Sequence, residues 1–252
     1  MLKVTIMFYK IANKYSKRGI MIDLEKNIQY IKGVGPNRAT LLNKLGINTL
    51  KDLITYFPRE HEDRGKVKEI NELMHGEEAL ICAYPVGRIN ELRIRKNLML
   101  CKLIVRDETG TCQITWYNQP YLKNVFKSNV RYKFYGRVSR VSGRIEMQSP
   151  VYEPEDSNKN TGKIIPIYPL TYNLSQNVIR KIIEAGLSEV NGDLEEVLPQ
   201  YMLEKYNLYN YNTAIKQIHF PDNFETFNKA RTTLAFEELF SMQLALLRLK
   251  NK

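Results

Sequence analysis

Cysteine is scarce in this sequence of 252 residues. Cys82, Cys101 and Cys112 share no Cys-x-x-Cys spacing, which argues against a zinc ribbon and a disulfide framework and fits a reducing cytosol. Histidine is as sparse: His61, His75 and His219 are scattered, and no metal site is expected. No run of 18 or more apolar residues occurs, which excludes a transmembrane helix, and no membrane partner is expected. The phosphate loop Gly-x-x-x-x-Gly-Lys-[Ser/Thr] is missing, since Gly65-Lys66 and Gly162-Lys163 lack both the upstream glycine and the hydroxyl residue. Asp107-Glu108 resembles a fragment of a helicase Asp-Glu box, but it sits in a hairpin turn with no phosphate loop to serve. No Ser-His-Asp or Cys-His set suggests itself. The chain is expected to hold no catalytic residue and no cofactor of its own.

Acid is also in short supply. Asp plus Glu number 27 against 38 Lys plus Arg, a net charge of +11 that calls for a polyanionic partner. The excess is local. Residues 1–20 hold Lys3, Lys10, Lys14, Lys17 and Arg18 and no acid. Residues 77–153 carry 13 basic and 7 acidic side chains, whereas 21–76 and 154–252 are close to balanced. The central block is where a polyanion would bind.

The chain reads as five stretches. Residues 1–22 form a basic tail, expected to be poorly ordered; they lack the apolar core and cleavage site of a secretory signal, and Met21 opens the first well-patterned segment. Residues 23–76 are helical: Leu24, Ile28 and Ile31 at helical spacing, a helix from Arg38 to Leu45 ended by Gly46, and a third from Leu50 to Phe57 stopped by Pro58. Gly33-Val34-Gly35-Pro36 between the first two gives the outline of a helix-hairpin-helix. Its backbone N–H groups, with Arg38 close by, can hold a phosphate, or the glycines can serve only to let two helices pack closely.

Residues 77–153 change to the period of strands: Ala79–Ile89, Leu98–Arg106, Thr111–Tyr117, then a short helix-like Pro120–Phe126, then Arg131–Ser139 and Arg144–Tyr152 across the turn Ser142-Gly143. That order is the OB-fold, a five-stranded Greek-key barrel, which makes the class α+β with helical segments on both sides. Residues 154–228 read as a linker with short helices, including one from Ser175 to Ala185 ended by Gly186. Residues 229–252 form a long helix with a broad apolar stripe that stops uncapped.

Two features of the barrel point to nucleic acid. Arg131, Lys133 and Arg137 share one strand face with Tyr135, while Arg140, Arg144 and Arg88, together with Arg93, Arg95 and Lys96, crowd the neighbouring turns. Such a face binds phosphates, or it is a solvated edge protected by charge. The second feature is Trp116-Tyr117-Asn118-Gln119-Pro120-Tyr121. Alternation sends Trp116 and Tyr117 to opposite faces, so an exposed ring is available for base stacking, unless all three aromatics cap the barrel.

These segments resemble the bacterial branch-migration helicase family RecG. Ile31-Lys32-Gly33-Val34-Gly35-Pro36, Leu45-Gly46-Ile47, Thr49-Leu50-Lys51-Asp52-Leu53, Tyr56-Phe57-Pro58-Arg59 and Glu62-Asp63-Arg64 are similar to its opening. Tyr117-Asn118-Gln119-x-Tyr121-Leu122 resembles its wedge motif. Tyr168-Pro169-Leu170-Thr171, Leu174-Ser175-Gln176, Ile218-His219-Phe220-Pro221 and Leu234-Ala235-Phe236-Glu237-Glu238-Leu239-Phe240 follow in the family's order. His61 stands where the family often has Tyr.

The resemblance implies a wedge module that grips stalled replication forks and Holliday junctions, with Tyr117 and Tyr121 stacking on bases where template strands part. It also implies a motor in cis, run by ATP and Mg²⁺, before which this chain ends as a truncated, split or cut product. Single-strand-binding protein enters as a further partner, because OB-folds also hold peptide tails. A monomer in the cytoplasm, at the nucleoid, completes the expectation.

Overall fold

The computed structural model describes residues 22–141, 143–157, 161–191 and 194–250. It has two compact units: one contains the chain up to His61 and again from Pro166, the other Glu62–Ile165. The sequence-drawn stretches run consecutively, whereas here the helices before and after the barrel share one core.

The barrel unit contains β2 (Glu78–Arg95), β3 (Leu98–Arg106), β4 (Thr111–Tyr117), β5 (Tyr132–Val141), β6 (Arg144–Gln148) and β7 (Val151–Pro154). Two further strands, β1 (Glu60–Asp63) and β8 (Ile164–Ile167), form a separate two-stranded ladder. Sheet order is β2-β3-β4-β6-β5-β7, and β2 also pairs with β5 and closes the barrel. The β4–β6 pairing is parallel, and the 3-10 turn Pro120–Asn124 bridges β4 to β5. This is the OB-fold topology. Strand alternation drives Ile81, Leu103, Val105, Ile114, Trp116, Phe134, Val138 and Met147 inward to form its core.

Two strands and one connection differ from the sequence reading. β2 continues beyond Ile89 to Arg95, because Asn90, Glu91, Leu92 and Arg93 pair with Lys102, Cys101, Leu100 and Met99. Its outer half is solvent-exposed on most positions, so no apolar alternation marks it as strand. The register breaks between Val86 and Asn90, where Gly87 takes φ +76°, a β-bulge that bends the hairpin away. The fifth predicted strand splits in two. Ser149 takes φ +46° and Pro150 offers no N–H, so β6 ends at Gln148 and β7 pairs with the other half of β5. The helix-like Pro120–Phe126 is a 3-10 turn ending at Asn124.

The helical unit contains α1 (Pro36–Asn43), α2 (Leu50–Ile54), α3 (Gln176–Val190), α4 (Gln200–Lys205), α5 (Tyr211–His219) and α6 (Phe224–Lys250). Its core joins Leu42, Leu50 and Leu53 to Ile179, Ile183 and Ile215. The helix expected through Leu24, Ile28 and Ile31 is only a 3-10 turn, Ile28–Tyr30. Backbone there is committed to distant partners: Ile28 N–H donates to Asn48 O, while Leu24 and Lys26 carbonyls accept from Lys51 and Leu50. The third helix ends at Ile54, because Phe57 precedes Pro58 and is disfavoured in helical conformation. α2 starts on a capping box, with Thr49 and Asp52 exchanging side chain-to-backbone bonds.

Gly186 does not end α3. The helix runs on to Val190, where Asn191 (φ +47°) caps it, and Gly186 is a contact point: a Cβ there would lie 2.6 Å from Leu53 Cδ2. α6 begins at Phe224, before Lys229, with Asn223 Oδ1 accepting from Thr226 N–H at 2.8 Å. Residues 1–21 of the expected basic tail lie outside the described residues. Among the described residues no helix is long and apolar enough to cross a membrane.

Candidate nucleic-acid interface

β4 delivers the aromatic run to the end of the barrel. Trp116 turns inward and is 1% exposed, with Phe126, Phe134 and Tyr152 rings 5.4, 6.4 and 6.0 Å from it. Its Nε1–H donates to Pro150 O at 3.2 Å, which satisfies the one polar atom that burial would otherwise leave stranded. Tyr117, next in the strand, must face out. It is 41% exposed, and its hydroxyl donates to Gln148 Oε1 at 3.3 Å. Asn118 then leaves the strand at φ +55°, and Pro120 occupies the first turn of the 3-10 segment. Buried Leu122 anchors that segment, while Tyr121 stays 58% exposed with its hydroxyl donating to Gln119 Oε1 at 2.9 Å. Of the two readings of the aromatic run, packing holds for Trp116 and exposure holds for Tyr117 and Tyr121.

Tyr117 also belongs to a row. Register sets Leu92 opposite Leu100 and Leu100 opposite Tyr117, so an aliphatic pair on the β2–β3 hairpin stands beside the ring. The same outer face carries Lys102 and Ile104 on β3, and Arg106 at its end. In OB-folds the outer face of the second and third strands, with the loops 1–2 and 4–5, is the oligonucleotide surface. Here those parts are β3, β4, the Lys96-Asn97 tip and the turn at Gly143. Arg93, Arg95 and Lys96 are exposed at the first loop, Arg144 and Arg140 at the second, and Arg88 in the bulged stretch of β2. Arg140 partly folds back, its Nη2 donating to Asn71 O at 3.3 Å.

The expected open row on β5 looks different. Arg131 lies 3.3 Å from Glu155, donates to Cys82 O, and sits over the Tyr84 ring at 5.5 Å. Lys133 Nζ donates to Ser157 O at 3.1 Å. Tyr135 is buried, with Arg64 4.3 Å above its ring and its hydroxyl bonded to Glu78; burial and that carboxylate push its pKa well up. Of the row's three cations, Arg137 alone is exposed, opposite Glu78 in the ladder. Arg64 and Glu78 thus engage Tyr135, while the segment after β7 engages Arg131 and Lys133 of this row. Its turn is held by the buried Glu153 carboxylate, which accepts from Thr161 N–H and from the Thr161 and Ser157 hydroxyls. The contributors that sequence reasoning left out of the site are Lys102, Ile104, Arg106 and Leu92. Their signal, alternation on β3 in register with Tyr117, needed the pairing to be known.

Gly33, Gly35 and Arg38 lie in the helical unit. Gly33 takes φ +87°, which favours glycine, and neither glycine would bring a Cβ within 4 Å of a neighbour. The close-packing reading of these glycines therefore has no support in the structure. Gly35 is the N-cap of α1, and Arg38 Nη1 donates to Gly33 O at 2.6 Å, so the cation closes over the turn.

All three cysteines are buried free thiols, and burial raises Cys82 to about 11 and Cys112 to about 12. Cys82 and Cys112 therefore stay protonated at neutral pH and are poor nucleophiles or ligands. Among the described residues no three His, Cys, Asp or Glu side chains converge as a metal site. Asp107 instead organises its turn, its carboxylate accepting from Ile70, Thr109 and Gly110 N–H.

A closed Greek-key barrel with two exposed tyrosines at a strand exit, flanked by cationic loops, defines an OB-fold module with exposed aromatic rings beside positive charge. The RecG wedge domain family matches residues 27–190, and the chain belongs to that family. It is 36% identical to the ATP-dependent DNA helicase RecG of Thermotoga maritima over 93% of this chain and 30% of that one. The Synechocystis protein of the same name is 29% identical, again over 93% and 30%. A solved structure of RecG bound to a three-way DNA junction matches with a TM-score of 0.83 and 33% identity, covering 98% of this chain and 34% of that one. The chain thus spans about a third of the length of the relatives it matches.

Proposed function

We propose that this chain binds branched DNA, stalled forks and Holliday junctions, as the wedge part of a RecG-type helicase acting in recombination and repair. One observation carries the reading: Tyr117 and Tyr121 stand exposed on either side of Asn118-Gln119-Pro120 at the barrel end, while Trp116 beside them is locked in the core. Stacked bases offer no face to a ring inside a duplex, whereas a branch point exposes one on each parting strand. Arg93, Arg95, Lys96, Lys102 and Arg106, with Arg88, Arg137, Arg140 and Arg144, supply phosphate contacts around the rings. A related RecG is solved on a three-way junction, which supports the same ligand here.

The motor belongs in cis in the longer protein, and ATP with Mg²⁺ acts there and not on these residues. The module works as a monomer in the cytoplasm, at the nucleoid. Exposed Val86, Leu92 and Ile104 on the outer face favour one second reading, a groove for a peptide tail such as that of single-strand-binding protein. Titrating a labelled three-way junction, and separately a peptide tail, across a salt series separates the two. Junction binding should weaken steeply with salt, by about 0.7–0.9 in slope per phosphate contact, and flat junction binding that is outcompeted by peptide would refute the first reading.

A further inference from the structure

Asn118 makes a set of bonds that its place between two stacking rings does not require. Its backbone N–H donates to Met99 O at 2.9 Å, and its side-chain Oδ1 accepts from Met99 N–H at 2.9 Å. Its Nδ2 donates to Asn97 O at 3.1 Å. Two of these bonds run to Met99 at the start of β3 and the third to Asn97 in the turn of the β2–β3 hairpin. They are available because Asn118 takes φ +55°, a conformation that Asn, Asp and Gly tolerate and bulkier residues do not.

The hairpin needs such a tie. From Gly87 to Arg95 its first strand is almost wholly exposed, and its register is broken twice, at Val86/Asn90 and Arg93/Arg95. Partly buried Ile89 and Met99 pack on the barrel core, and the β3–β4 ladder ends at Leu100–Tyr117; from there the Asn118 bonds tie the tip to the strand exit. Arg93 Nη2 donates to Lys96 O within the same turn, so Arg93, Arg95 and Lys96 move as a group with it.

We infer that Asn118 is a positioning residue that locks the cationic hairpin tip to the Tyr117–Tyr121 exit, so that phosphate-binding and base-stacking groups meet a branch point at one fixed spacing. The inference rests on the proposed function and deepens it. Asn118 touches no base in this scheme. It sets where the tip cations stand relative to the rings, and a duplex lacking a branch does not read that spacing.

The test measures anisotropy of the full 252-residue protein on a labelled three-way junction and on a duplex of equal length. Asn118→Gly keeps the left-handed backbone free of strain and removes both amide bonds. It should lower the junction-over-duplex preference about tenfold, equivalent to 1.4 kcal/mol, with the barrel's melting temperature little changed. Asn118→Asp, which retains the acceptor for Met99 N–H and loses the donor to Asn97, should fall between the two and carries the test if the glycine variant melts early.

The decisive reading is coupling. Arg95→Ala with Lys96→Ala should cost junction preference in the parent and cost almost none in Asn118→Gly, because the tip is no longer held in place. Fully independent losses, or a preference unchanged in both Asn118 variants, would overturn the inference. Tyr117→Ala separates the two levels. If it loses preference and the Asn118 variants do not, the brace is wrong and the wedge stands. If none of them loses preference, the wedge reading itself fails.

Discussion

Removing each exposed ring in turn gives the sharpest test of the wedge reading, because exposure sets both the gain on DNA and the cost to the fold. A tyrosine presents roughly 200 Å², so the exposed fractions of 41% for Tyr117 and 58% for Tyr121 leave about 80 and 115 Å² available. A base covers one side of a ring and takes about half of that. At about 25 cal/mol per Å² the loss is about 1 kcal/mol for Tyr117→Ala and about 1.5 kcal/mol for Tyr121→Ala. Both fall at the lower end of the roughly 1–3 kcal/mol measured for base–aromatic stacking. The junction Kd should therefore rise about 5-fold and 12-fold, and Tyr121 should matter more.

Fold should survive both changes. Neither ring belongs to the barrel core, and each hydroxyl bonds only to a glutamine side chain, Gln148 or Gln119. The thermal cost should stay within about 0.5 kcal/mol, as for other surface positions. Trp116→Ala serves as the opposite control: it empties a 1%-exposed site and strands Pro150 O, and should cost about 3–5 kcal/mol. Equal losses on junction and duplex, or melting of Tyr117→Ala near that of Trp116→Ala, would show that these rings are packing residues.

Other outcomes follow from the same geometry. Arg93→Ala, Arg95→Ala and Lys96→Ala should each reduce the salt slope of junction binding by about 1 with the fold intact. Arg131→Ala and Lys133→Ala should lower the barrel's melting temperature first, because they hold Glu155 and Ser157, and a changed slope with unchanged melting would contradict this. Gly136→Ala should destabilise the barrel by about 1–3 kcal/mol in denaturant titration, since a Cβ there meets Pro150 Cβ at 3.0 Å and its backbone Cα at 3.1 Å. In the helical unit, buried His219 accepts from Tyr168 OH, donates to Ile54 O, and is pulled down to about 4 by burial, while burial next to Glu196 raises Glu237 to about 7. A depressed histidine loses stability as pH falls from 6.5 to 4, and a raised carboxyl loses it as pH rises from 4.5 to 7. The two offset each other in part, half-buried His61 is also held low and adds to the loss on acidification, and Glu237→Gln should steepen that loss by about 3 kcal/mol.

What the sequence disclosed divides by range of interaction. β3 and β4 were legible because residues 98–106 and 111–117 are short runs rich in aliphatic, β-branched and aromatic residues with an Asp-Glu-Thr-Gly turn between them, and local composition is enough for that. The outer half of β2 was not, because its side chains face water on both sides and only the pairing to β3 makes it strand. The loss of the first helix has the same origin. Leu24 and Ile28 keep helical spacing, yet their backbone pairs with residues 48–51, a choice that only the folded chain makes. Gly186 is the clearest case of a local signal with a distant meaning: it reads as a helix stop and is a contact with Leu53. At the site, parity sent Trp116 and Tyr117 to opposite faces without saying which is buried; that choice, and the bracing by Asn118, needed the barrel and its hairpin turn to be seen in place.

Charge tells the same story with a functional consequence. The sequence places its most regular basic row on β5, and that row is where the folded chain spends its own acids and carbonyls, Glu155 on Arg131 and Ser157 O on Lys133. An arginine already paired with a carboxylate has less to gain from a phosphate than one standing in water, because the phosphate must first displace the partner. Arg93, Arg95 and Lys96 have no such acid opposite them in the ladder, where Arg93 faces Met99 and Arg95 faces Leu98. The surface left to attract a polyanion is therefore the hairpin and the loops beside the two tyrosines. Under the proposed function the same stretch of surface would supply both attraction and stacking, the arrangement that favours a branch point over a duplex.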